Sequence, residues 1–216
     1  MGRLQDQLDA FSRELARKVP VERRAVMARD IATRQAAGME GRVLRPGDLI
    51  PDLTLPDCAD RPTRLRDLLP AIIVFFRGGW CPYCALELRY WQRLLPQILA
   101  AGGKLVAISP QAPAHSRETV DQHGLCFPLL SDVGGAAARA FGLDYEVSDE
   151  MRALYREFGH ELPEIGAGTG WQLPTPSTFV AGADARIVLA HADADYRHRL
   201  EPAEALAALR GETAAA

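Results

Sequence analysis

Cys81 and Cys84 stand three residues apart in the run Trp80-Cys81-Pro82-Tyr83-Cys84, directly after Arg77-Gly78-Gly79. Two thiols at this spacing on a helix share a face and lie within reach of a disulfide. One sulfur can attack an electrophile as the thiolate and the other can resolve the product. Three plainer readings compete. Half a zinc site needs partners that the chain does not spell, because there is no second Cys-x-x-Cys and no close His pair. Two inert buried thiols would not call for Gly-Gly-Trp ahead of a helix start. A static structural disulfide is the third. The strand-turn-helix setting favours redox chemistry.

That setting is legible around the pair. Ala71-Ile72-Ile73-Val74-Phe75-Phe76 is a continuous apolar run, as expected of a strand buried on both faces. Gly78 and Gly79 let the backbone turn. From Leu86 the apolar residues Leu88, Trp91, Leu94, Leu95 and Ile98 recur at helical spacing, and Pro82 suits a first helical turn. The dithiol is therefore placed at a helix N-terminus, where unpaired N–H groups and the helix dipole favour a thiolate. Lys104–Ser109 reads as the next buried strand, and a strand-helix-strand unit of this kind requires a right-handed crossover between parallel strands.

The remainder of the chain gives a frame for this unit. With 216 residues, 48% of them hydrophobic, there is enough chain for one full α/β core plus an appendage. The formal charge of −3 offers no basic field for nucleic acid. Residues 1–18 carry charges throughout, so no secretory leader is expected, and no apolar run approaches a bilayer span. Four cysteines are too sparse for a disulfide scaffold, which suggests a reducing cytoplasmic compartment. Residues 1–42 read as an N-terminal helical extension, with Leu4, Leu8, Phe11 and Leu15 on one face and a second helix after Pro20. Its functional reading is a homodimer contact or a lid. The simpler reading, a helical pair packed on its own domain, is preferred. Residues 43–216 form the main domain: a short strand over Leu49–Leu55, a strand and helical turn over Thr63–Leu69, a helix over Pro113–His123, a strand over Phe127–Leu130 and a helix over Val133–Phe141. Residues 144–173 read as an insertion with a helix from Asp149 to Phe158 and a flexible Gly166–Gly170. A hairpin over Ser177–Val180 and Arg186–Ala190 follows, then a helix over Pro202–Leu209 and a tail from Gly211 that frays.

This order of elements resembles the thioredoxin fold and, within it, the peroxiredoxin-like branch of the AhpC/TSA proteins. The resemblance runs over about residues 43–210 and is carried by FFRGGWCPYCALELR, FPLLSD and LPTPSTFV. It implies an α/β fold, a thiol-dependent antioxidant activity on hydroperoxides, and regeneration by a thioredoxin- or glutaredoxin-like dithiol. No metal, flavin or nucleotide cofactor is implied. Cys84 falls at the family's peroxidatic position, Cys81 replaces its Thr, Arg77 replaces its Pro, and Glu87 meets a Glu common three residues after the Cys. Where the family has a catalytic Arg, this chain has Pro176. Thioredoxins carry a cis-proline there, so the resemblance implies a cis Thr175–Pro176 bond. With the usual Thr and Arg missing, Arg77 is the nearest substitute for holding a peroxide, although an exposed charge covering the strand end is its simpler reading.

Two arguments conflict over which sulfur attacks. The family register nominates Cys84. The helix argument nominates Cys81, which is then expected to be the more exposed thiol with the lower pKa, with Cys84 resolving. Cys58 and Cys126 lack any motif and read as small buried hydrophobes. The histidines, Asp149, Asp193 and Asp195 read as solvated. Tyr83, Trp80 and Trp171 are candidates for shaping or shielding the site, with rim packing as the plainer alternative. Competing functions are a disulfide reductase with little peroxidase activity and a non-enzymatic redox sensor.

Overall fold

The computed structural model describes residues 2–166 and 170–215. Its centre is a five-stranded sheet of β3 (Ala71–Phe75), β4 (Lys104–Ser109), β5 (Leu129–Ser131), β8 (Ser177–Ala181) and β9 (Ile187–Ala192), in the order β5-β4-β3-β8-β9. β3 pairs in parallel with β4, and β4 with β5, while β8 is antiparallel to both β3 and β9. All five residues of β3 are buried, as a central strand covered on both faces must be. Its alternation divides the core. Ile72 and Val74 face one layer with Leu88, Trp91, Leu95 and Ile98 of α3 (Pro82–Ala100) and Leu206 and Leu209 of α8 (Pro202–Ala215). Ala71, Ile73 and Phe75 face the other, with Val106, Ile108, Phe141 and Phe179. This is the thioredoxin-like α/β fold.

The helical pair α1 (Leu4–Lys18) and α2 (Val21–Ala36) packs on its own chain. Leu4 and Leu8 have no exposed surface and belong to the same core layer as α3, a burial worth about 1.5–3 kcal/mol for each side chain. The Phe11 ring meets Tyr83 edge-on at 5.0 Å, and the Ser12 and Tyr83 hydroxyls are hydrogen-bonded at 2.8 Å. Helix α2 lies against α6 (Asp149–Glu157), and Val26 and Met27 pack on the Met151, Leu154 and Tyr155 cluster.

Several sequence expectations change. The strand expected over Leu49–Leu55 contracts to β1 (Thr54–Pro56), paired with β2 (Pro62–Arg64), because Leu49 makes only an isolated bridge to Arg186. Within the insertion, β6 (Asp144–Glu146) and β7 (Gln172–Pro174) form an antiparallel pair that was not foreseen. Three-residue strands are too short for alternation to show. Helix α6 begins where its cap dictates, with Ser148 Oγ accepting the Met151 N–H. The expected flexibility of Gly166–Gly170 falls mostly on residues 167–169, outside the described residues. Helix α8 runs on to Ala215 instead of ending near Leu209, so Gly211, which costs about 1 kcal/mol inside a helix, does not stop it.

Candidate active site

The sheet register explains why the site forms. Phe75, the last residue of β3, pairs with Ser177, the first of β8, and Ser177 pairs with Ala192, the last of β9. Whatever follows β3, precedes β8 and follows β9 therefore meets at one sheet end. Those segments are Arg77–Cys84, Thr175–Pro176 and Asp193–Leu200.

Backbone turns fix the first segment. Gly78 adopts φ +149°, and a Cβ there would fall 2.3 Å from Trp80 Nε1. At Gly79 a Cβ would stand 2.3 Å from Thr119 Oγ1, and its N–H donates to Gln111 Oε1 at 2.8 Å. The Cys81 N–H donates to the Gly78 carbonyl at 3.1 Å. Cys81 is thereby the N-cap of α3, and Pro82 opens its first turn. Cys84 lies one turn further along.

Both cysteines are free thiols with no exposed surface, so the expectation that Cys81 is the more exposed is not met. Tyr83 of α3, edge-on to both Phe11 and Tyr196, belongs with the two sulfurs to the core layer that α1 covers. Hydrogen bonding and charge nevertheless separate the sulfurs in the order the helix argument expects. Burial pushes the Cys81 thiol up, but the hydrogen bond from Cys84 and the charges of Arg77 and Arg199 outweigh it and hold Cys81 well below the ordinary thiol range. Burial, then the hydrogen bond to Cys81 and its charge, pushes Cys84 well above it.

Arg77 is not an exposed charge at the strand end. Only 4% of it is exposed. Its Nη2 donates to Cys81 Sγ at 3.0 Å and its Nη1 to the Tyr155 hydroxyl at 3.0 Å. The Tyr196 ring lies 3.9 Å from the guanidinium carbon and the Trp80 ring 5.5 Å. Glu87 is also buried, and its carboxylate forms an ion pair with Arg199 Nε at 3.0 Å. Arg199 Nη2 donates to Cys84 Sγ at 3.7 Å. Burial raises the Glu87 carboxyl and the Arg199 charge partly offsets the rise.

Pro176 is buried immediately before β8, at the same sheet end. The cis bond expected at Thr175–Pro176 is absent: among the described residues the cis peptide is Leu69–Pro70. The Thr175 N–H donates to the Leu143 carbonyl at 2.8 Å and Ser177 is already paired with Phe75. Two residues, Thr175 and Pro176, link β7 to β8 between those anchors, and the link is trans.

Sequence reasoning missed Tyr155, Tyr196 and Arg199. The last two lie in a stretch that reads as solvated charge, and only the β8–β9 register brings it to the dithiol. Asp195 in the same stretch is 4% exposed and pairs with Arg197 at 2.6 Å, contrary to the solvated reading. His191 is partly buried. Cys126 is exposed and Cys58 half-buried, so neither is the buried hydrophobe expected. Trp171 stacks against Arg156 at 4.7 Å on the insertion. An apolar cavity of about 210 Å³ adjoins the site, lined by Arg77, Trp80, Pro82 and Tyr83 together with Met27 of α2 and Tyr155 of α6. Among the described residues no group of three or more Cys, His, Asp or Glu could hold a metal ion.

Comparison with known proteins gives the family and the fold. The model of the AhpC/TSA family matches residues 46–190. A Mycobacterium tuberculosis protein that carries the name "putative peroxiredoxin" is 31% identical over 149 residues, which is 68% of this chain and 84% of the relative. Thiol-disulfide oxidoreductase ResA of Halalkalibacterium halodurans is 27% identical over 46% of this chain and 57% of its own. Among solved structures, peroxidoxin BcpB from Mycobacterium tuberculosis superposes with a TM-score of 0.61 at 23% identity, covering 78% of this chain and 97% of its own. Peroxiredoxin Q of Xanthomonas campestris gives 0.57 at 23% identity, covering 79% and 97%.

Proposed function

The chain belongs to the AhpC/TSA family, and from that premise we propose that it is a thiol-dependent oxidoreductase that reduces hydroperoxides with Cys81 as nucleophile and Cys84 as resolving thiol. The observation that carries this reading is the buried Arg77 Nη2 donating to Cys81 Sγ at 3.0 Å. A guanidinium fixed there stabilises the attacking thiolate and lies where charge develops on the departing oxygen.

The cycle balances in three steps. The Cys81 thiolate attacks a hydroperoxide oxygen, the O–O bond breaks, and Cys81 becomes a sulfenic acid while the alkoxide takes a proton and leaves as an alcohol, or as water from hydrogen peroxide. The Cys84 thiol condenses with the sulfenic acid, forming the S–S bond and releasing water. An external thioredoxin- or glutaredoxin-like dithiol then restores both thiols and leaves as its own disulfide. Cys84 suits the resolving role because it stays protonated until Cys81 has reacted. Glu87 positions Arg199 against Cys84, and Pro176 holds the chain at the shared sheet end. The cavity beside Arg77 offers room for an organic substituent on the peroxide. We place the protein in the cytoplasm on its sparse cysteines; no helix of the described residues is long and apolar enough to cross a membrane.

The test is stopped-flow consumption of hydrogen peroxide and of an organic hydroperoxide by the reduced protein, run beside insulin-disulfide reduction. Rapid peroxide consumption with one Cys81–Cys84 disulfide formed per peroxide is expected. Insulin reduction without peroxide consumption would assign the chain to the disulfide reductases.

A further inference from the structure

The environment of Arg77 carries a consequence for the direction in which this dithiol exchanges electrons. This consequence rests on Cys81 and Cys84 being the redox pair of the proposed function. Arg77 is surrounded by groups that do not neutralise it: the Tyr155 hydroxyl, the Tyr196 ring and the Trp80 ring. The Cys81 sulfur is the partner that can carry a negative charge at hydrogen-bond distance. The neighbouring carboxylate, Glu87, is already paired with Arg199. Other titratable groups facing Cys81 are Cys84 and Tyr83 of α3, Tyr155 of α6, Tyr196 and Arg199 beyond β9, and His160 after α6. In the reduced state Arg77 therefore sits against a thiolate. Once Cys81 is bonded to Cys84 the sulfur is neutral, and the guanidinium remains buried without its anion. A buried charge stripped of its partner is strongly unfavourable, so the cost falls on the oxidised state alone.

We propose that Arg77 is a positioning residue that sets the redox poise of the pair: by holding the Cys81 thiolate at 3.0 Å in a buried site where, among the described residues, Arg77 has no carboxylate partner, it makes the Cys81–Cys84 disulfide a ready electron acceptor and the reduced dithiol a poor reductant of stable protein disulfides. The exchange it biases is written in full as disulfide plus external dithiol giving Cys81 thiolate, Cys84 thiol, the external disulfide and one proton. The external dithiol is oxidised and loses two electrons; the Cys81–Cys84 bond breaks and gains them. Stabilising the thiolate product drives this reaction forward. The site is then suited to being recharged by ordinary cellular dithiols after each turnover, and unsuited to reducing structural disulfides.

The decisive measurement needs no peroxide. Wild type, Arg77→Met and Arg77→Lys are equilibrated against defined mixtures of reduced and oxidised glutathione, and the oxidised fraction is read by alkylation and mass spectrometry with peptide mapping. Arg77→Met is expected to shift the equilibrium at least tenfold toward the disulfide, about 30 mV for this two-electron couple, and Arg77→Lys by less. The pH dependence is a second readout. The wild-type potential follows two protons per electron pair below the Cys81 pKa and one above it. That change of slope is expected below the usual thiol value of about 8.5, moving up toward it in Arg77→Met. An Arg77→Met protein that is folded by circular dichroism and keeps the wild-type equilibrium constant overturns the proposal. Should Arg77→Met not fold, the wild type decides: a slope change at the ordinary thiol value overturns it, and one well below supports it. A wild type that maps no Cys81–Cys84 disulfide overturns the redox pair itself, which the peptide map distinguishes from a failure of the Arg77 argument.

Discussion

Each sulfur of the pair touches an arginine, yet the two arginines act differently. Arg77 meets Cys81 at 3.0 Å among a phenol hydroxyl and aromatic rings. Arg199 meets Cys84 at 3.7 Å while paired with Glu87 at 3.0 Å. In one wall the positive charge is available to the sulfur; in the other it is shared with a carboxylate. Burial opposes ionisation of both thiols; at Cys81 the hydrogen bond from Cys84, with the charges of Arg77 and Arg199, outweighs it, and at Cys84 the two arginines do not. A cation's effect on a thiol thus depends on its other partners as well as on its distance.

The comparison breaks most visibly by removing a sulfur. Cys81→Ser is expected to lower peroxide consumption by at least about a thousandfold. Cys84→Ser should keep a thiolate that iodoacetamide alkylates quickly near neutral pH, and Cys81→Ser should not. A reactive thiolate surviving only in Cys81→Ser would exchange the two roles and favour the family register over the helix argument.

Removing one member of the second wall comes next. Arg199→Met leaves the Glu87 carboxylate buried and unpaired, an expected loss of about 3–5 kcal/mol in guanidinium unfolding. Glu87→Gln does the opposite for the chemistry. It frees the Arg199 charge to act on Cys84, so in the Cys81→Ser background Cys84 should alkylate at lower pH than with Glu87 present. An unchanged alkylation profile would show that Glu87 does not neutralise Arg199 toward the sulfur.

The pH dependence of stability sharpens the contrast further. In the reduced protein the folded-state pKa of Cys81 lies below its unfolded value, so its contribution is fully present above about 8.5 and lost as pH falls through the folded value. Cys84 is the reverse. Its contribution is fully present below about 8.5 and is lost as pH rises through its raised folded value. From this pair, reduced-protein stability should climb through neutral pH toward about 8.5 and decline beyond it. The oxidised protein should show neither limb in parallel guanidinium titrations. The smallest expected effect belongs to the ring beneath Arg77. Tyr196→Leu removes a contact at 3.9 Å, costing about 0.5–2 kcal/mol in the same assay, with Cys81 alkylation otherwise retained.

What the sequence could determine was local. An apolar run long enough for a buried strand, two glycines, a proline suited to a first helical turn and two thiols three residues apart are short-range signals. They located β3, the turn, α3 and the dithiol because strand, turn and helix preferences act over a few residues. The same locality misled at Arg77: a charge after a strand end ordinarily faces water, and nothing nearby in the chain announces the ring of Tyr196 or the hydroxyl of Tyr155. It misled at Pro176 too, where the link between β7 and β8 is set by Leu143 and Phe75, distant in the chain. Arg199 and Tyr196 belong to the site only because Phe75, Ser177 and Ala192 come into register across three strands. The spacing of Cys81 and Cys84 established that a disulfide could form. Which sulfur carries the charge was left to the tertiary structure, because it depends on burial under α1 and on how two cations are partnered: Arg77, close to Cys81 in the chain, and Arg199, distant from Cys84.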